Sequence, residues 1–189
     1  LTLKELLCYM KTLNIGILAH VDAGKTSLTE RLLFNAGVIK TLGSVDKGNT
    51  QTDTMPLERQ RGITIRAAVT SFNIGDIKIN LIDTPGHPDF IAEVERSLRV
   101  LDAVILVISA VEGIQPQTQI LARTLKKLKI PTIIFINKID RMGARSTDLA
   151  EDIQTRLFSN AVAMNKVADI GTRKATIVPL QPYGQITDI

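Results

Sequence analysis

The sequence predicts an α/β fold: a mostly parallel sheet with one antiparallel edge hairpin and helices on both faces. Three observations lead there. Short apolar runs alternate along the chain with helix-like segments, the order expected of strands joined by crossover helices. Two of those runs, "AVILVIS" (103–109) and "TIIFIN" (132–137), are apolar at successive positions, as central parallel strands covered on both faces would be. A further pair of runs is separated by little more than Gly75-Asp76, a tight-turn signal.

Taken in order, "LNIGILA" (13–19) reads as the first strand. "TSLTERLLFNAG" (26–37) follows as a helix with Leu28, Leu32, Leu33 and Ala36 on one face and Gly37 as its stop. "AAVTSFNI" and "IKINLID", on either side of Gly75-Asp76, form the antiparallel hairpin. Between the two continuously apolar strands, "PQTQILARTLKKL" opens with Pro116 at a helix N-terminus and sends Ile120, Leu121, Leu125 and Leu128 toward a core. Residues 41–61 break the rhythm: they are polar, carry Gly43, Gly48 and Pro56, and hold no sustained period. A loop of that length in a compact domain is usually functional, and its place after the first helix suggests a switch. The chain shows no internal repeat and no low-complexity tract.

Composition sets the outer bounds. With 189 residues, 44% of them hydrophobic, the chain suits one packed domain. A single cysteine, Cys8, excludes an internal disulfide and fits a reducing cytoplasm. The net charge of +4 is mild and dispersed except at Arg123, Lys126, Lys127 and Lys129, which read as a solvated helix face, so no direct DNA binding is expected. No apolar run approaches the roughly 20 residues that span a bilayer, so no membrane partner is expected; separately, the chain is expected to be a cytoplasmic monomer. Residues 1–9 look like a leader outside the fold, with Met10 as the natural start.

The chemistry begins at "AHVDAGKT", which matches the phosphate-binding pattern G-x-x-x-x-G-K-[ST] except that Ala19 stands where the first glycine belongs. Ala19, His20, Val21, Asp22, Ala23, Gly24, Lys25 and Thr26 form the candidate loop. Backbone N–H groups from Asp22 to Thr26 can surround a β-phosphate at a helix N-terminus, Lys25 adds charge on the β and γ oxygens, and the Thr26 hydroxyl suits Mg²⁺. Gly24 is the demanding position, since backbone and phosphate approach closely there; an alanine at position 19 is tolerable if its φ is negative. In "DTPGH", Asp83 ends an apolar strand where it can hold a Mg²⁺-bound water, and Thr84, Pro85 and Gly86 lead on, with the Gly86 N–H available to a γ-phosphate. In "NKID", Asn137, Lys138, Ile139 and Asp140 leave a buried strand; the Asp140 carboxylate can accept the two N–H groups on one edge of guanine, and the Lys138 stem can lie over the purine. Each element alone admits a plainer interpretation: a chance Gly-Lys-Thr opening a helix, an ordinary Asp-Thr-Pro-Gly turn, a surface turn with a charge pair. Three together, in this order at three strand ends, favour GTP, and the fold class sharpens to a P-loop GTPase domain.

"AHVDAGKT", "RGITI", "DTPGH" and "NKID" together resemble the GTP-binding domain of translational GTPases of the elongation factor G branch, in which alanine at the first loop position is usual. Within that branch, "LGSVDKGNTQTD" followed by "LERQRGITI" is most similar to the tetracycline-resistance ribosomal protection proteins. The resemblance covers about residues 10–145. It implies GTP/GDP and Mg²⁺ as cofactors, and the bacterial ribosome as a partner reached through a full-length protein. It implies that hydrolysis is slow alone and stimulated by the ribosome, and that its work is GTP-dependent release of tetracycline. It also implies that Thr64 is the switch residue reaching Mg²⁺, that Val21 and Ile63 form an apolar gate beside the attacking water, and that His87 positions that water. A plainer reading makes Val21 and Ile63 core contacts and His87 a surface-turn histidine. The family's later Ser-Ala element, which closes the guanine pocket, has no counterpart after Asp140. Residues 10–189 therefore read as a GTP-binding domain incomplete at its C-terminus, with 145–189 resembling a variable insertion. An elongation factor G-like translocation factor and a stand-alone GTP-binding module remain as alternatives, though the former normally carries a Trp in its switch and this chain has none. A dinucleotide dehydrogenase fits poorly, since no G-x-G-x-x-G follows a strand.

Overall fold

Apolar β-formers between residues 11 and 19 make strand β1 (Lys11–Ala19), and the segment beyond the glycine-lysine step winds into α1 (Lys25–Asn35). A computed structural model describes residues 11–41, 68–83 and 98–180. The leader (1–9), Met10, the polar loop beyond residue 41, and Ile63, Thr64, Thr84, Pro85, Gly86 and His87 lie outside the described residues. After α1 come β2 (Ala68–Ile74), β3 (Ile77–Asp83), β4 (Ala103–Ser109), α2 (Pro116–Leu128), β5 (Thr132–Asn137), α3 (Thr147–Arg156), β6 (Asn165–Ala168) and β7 (Thr176–Pro179).

The main sheet has the order β2-β3-β1-β4-β5. β1 runs parallel to both β3 and β4, while β2 and β3 form the expected antiparallel hairpin about Gly75-Asp76, closing at Ile74 opposite Ile77. A polar ladder pins this register: the Ser71 hydroxyl donates to Asn80 Oδ1 (2.7 Å), and the Asn80 amide donates to Asn14 Oδ1 (2.8 Å), one residue from each of three adjacent strands. Because a one-residue slip would turn every side chain to the other face, such a ladder fixes which residues are buried. The same register sets Asp83 beside Ile17, close to where β1 ends. "TIIFIN" departs from its expected central place. β5 is an outer strand of the sheet among the described residues, with Ile133 and Phe135 exposed on alternate positions. Its amide-carbonyl bonds to the β4 side advance together (Val104 N–H to Pro131 O, Ala110 N–H to Asn137 O), so it runs parallel to β4.

The chain divides into two compact units, residues 1–107 with 129–134, and residues 108–128 with 135–189. In the first, α1 lays Leu33 on a buried cluster of Ile17, Ala19, Ala23, Leu81 and Val107, with Leu28 and Leu32 packed against it. Each isoleucine, leucine or valine among them contributes about 1.5–3 kcal/mol on full burial. α1 stops where the sequence predicts: Gly37 takes φ +72°, its N–H donates to Phe34 O and that of Val38 to Leu33 O, a pair of bonds that satisfies carbonyls at the helix end.

In the second unit α2 buries Thr118, Leu121, Ala122 and Leu125, a stripe at i, i+3, i+4 and i+7. Ile120 and Leu128, expected in the core, are exposed, because the buried stripe is completed by the small Thr118 and Ala122 rather than by the largest apolar side chains. Arg123, Lys126 and Lys127 face solvent, as expected of a solvated helix face. α3 buries Leu149 and Ile153, and β6 pairs antiparallel with β7.

Candidate functional site

The phosphate-loop candidate lies wholly within the first unit. β1 delivers Ala19, buried and extended, to a turn in which the Ala23 N–H donates to His20 O (3.2 Å) and Asp22 takes φ +62°. Gly24 then adopts φ +95°, ψ 29° as the residue capping α1. An L side chain is strained at that φ, which is the local reason for glycine here. Ala19 needs no such conformation, so an alanine fits at the first loop position.

The first turn of α1 carries no acidic residue. Helices ordinarily favour a carboxylate there, against the positive end of the macrodipole. This one instead has a lysine. Lys25 is buried, at 8% exposure, and its ammonium pairs with the Asp83 carboxylate, itself 2% exposed at the end of β3. A cation in the first turn is electrostatically misplaced for stability, and Asp83 offsets it. The same concentration of positive potential, formed by the N–H groups of the loop and first turn, Lys25 and the helix end, suits an anion that approaches from the loop. The Thr29 hydroxyl donates to Lys25 O (3.1 Å), steadying the first turn, and Thr26 beside it is half-buried. Val21 is 38% exposed, so it is not a core contact.

The base-reading candidate lies in the second unit. β5 ends at Asn137, whose carbonyl accepts the Ala110 N–H (2.8 Å). Lys138 follows with φ +61°, and its carbonyl accepts the Arg141 N–H (3.1 Å), while Ile139 O accepts the Gly171 N–H (2.8 Å). These ties hold the loop from both sides and leave the Asp140 side chain exposed. Behind it, Arg145 donates to Asp148 (2.5 Å) and Asp152 (2.7 Å), and its own N–H donates to Ala110 O (2.9 Å). The hydrogen bond from Arg145 holds the Asp148 carboxyl below its ordinary value, and the Arg145 guanidinium is raised in turn.

A family model described as the elongation factor Tu GTP binding domain matches residues 10–183. The chain belongs to that family. It is 64% identical over 173 residues to an oxytetracycline resistance protein of Streptomyces rimosus, covering 92% of this chain and 26% of that protein. It is 56% identical over 179 residues to tetracycline resistance protein TetM of Streptomyces lividans, covering 95% and 28%. The chain thus spans about a quarter of the length of the curated relatives it matches. A crystal structure from Thermus thermophilus superposes with a TM-score of 0.80 at 23% identity, covering 92% of this chain and 29% of that one, and so shares the fold.

In this elongation factor Tu-type domain the sequence motifs emerge in two groups: Ala19 to Thr26 with Asp83 in one unit, Asn137 to Asp140 in the other. Two partnerships escaped the motifs. One is the Lys25–Asp83 pair, which only the parallel register of β1 and β3 creates. The other is Glu112, which no pattern singles out and whose carboxylate holds the Lys138 ammonium at 2.9 Å. A cavity of about 500 Å³ in the first unit, lined mostly by apolar residues such as Ile15, Leu32, Phe72 and Ile79 together with Asn35 and Asn73, sits at the C-terminal part of α1, away from the loop.

Proposed function

We propose that this chain is the GTP-binding and GTP-hydrolysing domain of a cytoplasmic, ribosome-associated GTPase, and that the full-length protein releases tetracycline from the bacterial ribosome. The observation that carries the nucleotide part is the left-handed Gly24 feeding a helix whose first turn holds a buried Lys25 and no acid. The antibiotic part is supported by relatives whose names are those of tetracycline and oxytetracycline resistance proteins.

Asp22 to Thr26 bind the β-phosphate through backbone N–H groups, and Lys25 turns from Asp83 to the β and γ oxygens. Asp140 accepts from the guanine edge, Asn137 ties the loop, and the Lys138 stem covers the ring. The donor set fits Mg²⁺: Thr26 and Asp83 supply hard oxygens, and among the described residues no group of three or more His, Cys, Asp or Glu stands ready to cage a metal. Mg²⁺ is commonly held by one or two protein oxygens, with phosphate and water completing its shell. Bound by Thr26, Asp83 and Thr64, it would neutralise charge on the β and γ oxygens. Phosphoryl transfer demands positioning and charge stabilisation more than a strong base. His87 orients the attacking water once the ribosome brings it into place, with Val21 and Ile63 screening it, so hydrolysis is slow in the free protein.

The test is GTP turnover by the full-length protein with and without bacterial ribosomes, followed with release of labelled tetracycline from them. Stimulated turnover and GTP-dependent release are expected. Turnover indifferent to ribosomes would leave a stand-alone GTP-binding module; stimulation without drug release would leave a translation factor of another kind.

A further inference from the structure

Lys138 stands at the start of a loop, yet its ammonium has a carboxylate partner. It follows the last strand residue, takes left-handed backbone at φ +61°, and is a quarter exposed. A lysine there would ordinarily sample many rotamers, and holding it still opposes a large side-chain entropy. Its Nζ instead meets Glu112 Oε1 at 2.9 Å.

Glu112 is itself held. It sits in the turn between β4 and α2, where Ser109 Oγ accepts from the N–H groups of Val111 (3.2 Å) and Glu112 (3.3 Å). The Gly113 N–H donates to Ser109 O (2.9 Å), and the Gln115 amide donates to Glu112 O (2.7 Å). Gly113 takes φ +66°, and a Cβ built on it would lie 3.1 Å from Arg145 Nη1. The turn is also stitched to both ends of the base-reading loop: Ala110 donates to Asn137 O and accepts from the Arg145 N–H. Every one of these contacts lies within one unit of the chain.

We infer that Glu112 is a positioning residue for base recognition: its carboxylate holds the Lys138 ammonium so that the aliphatic stem is already extended as a platform for the flat face of a purine. This rests on the proposed role of Lys138 in covering guanine. Glu112 acts through Lys138, so it tunes how tightly a purine nucleotide is held and leaves the choice among purines to Asp140. Since both partners are partly exposed, the pair is worth what a surface ion pair is worth, about a two- to fivefold change in affinity, and salt screens it.

The experiment is titration of the 189-residue chain with N-methylanthraniloyl-GDP and its xanthosine analogue, at low salt and at high salt, for the parent, Glu112→Gln, Glu112→Lys, Lys138→Met and Lys138→Ala. Glu112→Gln should weaken both nucleotides about two- to fivefold and Glu112→Lys more, with their ratio unchanged and both losses shrinking at high salt. In the Lys138→Met background Glu112→Gln should add nothing. A packing defect would neither follow the order of charge nor be screened. If Lys138→Met weakens binding and Glu112→Gln does not, or if Glu112→Gln weakens it equally without the lysine, the positioning role falls while base recognition stands. If Lys138→Met, which removes the ammonium and keeps an apolar stem, is without effect on affinity, the positioning role falls; if Lys138→Ala, which removes the stem, is also without effect, the proposed base site falls with it.

Discussion

Replacing Lys25 with alanine separates two things the lysine does. Lys25 lies 8% exposed against an Asp83 that is 2% exposed, so the pair is close to fully buried. Removing one partner of a buried pair costs about 3–5 kcal/mol. Against that stands the relief of a cation in the first turn of α1, about 0.3–1 kcal/mol. The expected net loss of stability is therefore about 2–5 kcal/mol. Nucleotide binding loses a charge-assisted contact, about 1.5–3 kcal/mol, or roughly a 10- to 150-fold rise in Kd. Urea unfolding without nucleotide measures the first effect and titration with N-methylanthraniloyl-GDP the second. A cycle with Asp83→Asn isolates the pair: its coupling in unfolding should be about 1–3 kcal/mol. Additive single effects in unfolding would refute the buried pair. An unchanged GDP affinity would refute the phosphate loop, and each result stands without the other.

Gly24→Ala, at φ +95°, should cost about 1–2 kcal/mol in urea unfolding, with a further loss of GDP affinity; unfolding at the parent's urea midpoint would contradict the left-handed cap. Asp140→Asn should weaken GTP by about 1–3 kcal/mol and shift preference to xanthosine triphosphate in a competition assay; equal loss of both nucleotides would remove Asp140 from the guanine edge. His87→Ala in a full-length protein should leave GTP affinity near the parent's and lower ribosome-stimulated turnover about 10²- to 10⁴-fold; retained stimulation would dismiss His87. Asp148 is held below its ordinary value chiefly by the Arg145 hydrogen bond, so its contribution is present above the unfolded value of about 4 and is lost as pH falls through the lower folded one. Arg145→Gln should move the Asp148 carboxyl titration, followed by carbon NMR, upward; no movement would exonerate Arg145.

Where a local signal coincides with a local cause, the sequence is readable. Gly37 ends α1 because the left-handed cap needs little beyond the helix itself, and Gly75-Asp76 turns β2 into β3 for the same reason. β5 departs from expectation because a run of apolar residues reports hydrophobicity and not a strand's place in the sheet order, which depends on all its neighbours. In α2 the bulkiest residues mislead the helical phase, since Thr118 and Ala122 complete the stripe that is buried. α3 carries a usable signal in Leu149 and Ile153, followed by Leu157 at its C-cap, with Asp148 in its first turn and Arg156 in its last. The expectation of a variable tail over these residues obscures it. In the candidate site, the residues of each motif can be named from spacing alone, but the partners of Lys25 and Lys138 are set by strand register and turn geometry, which no motif encodes.

Asp22 and Lys138, one in each candidate nucleotide loop, both hold a positive φ, at 62° and 61°. A glycine would sit in either place without the roughly 1–2 kcal/mol that left-handed backbone imposes on other residues. Selection for thermal resistance alone would thus drift toward glycine at both positions, hardening the chain while erasing the lysine stem from one loop and a carboxylate from the other. Libraries screened for endurance without a nucleotide in the screen are therefore poised to enrich sturdy variants that have forgotten their ligand, and the two sites mark where such a trade between endurance and competence would first become visible.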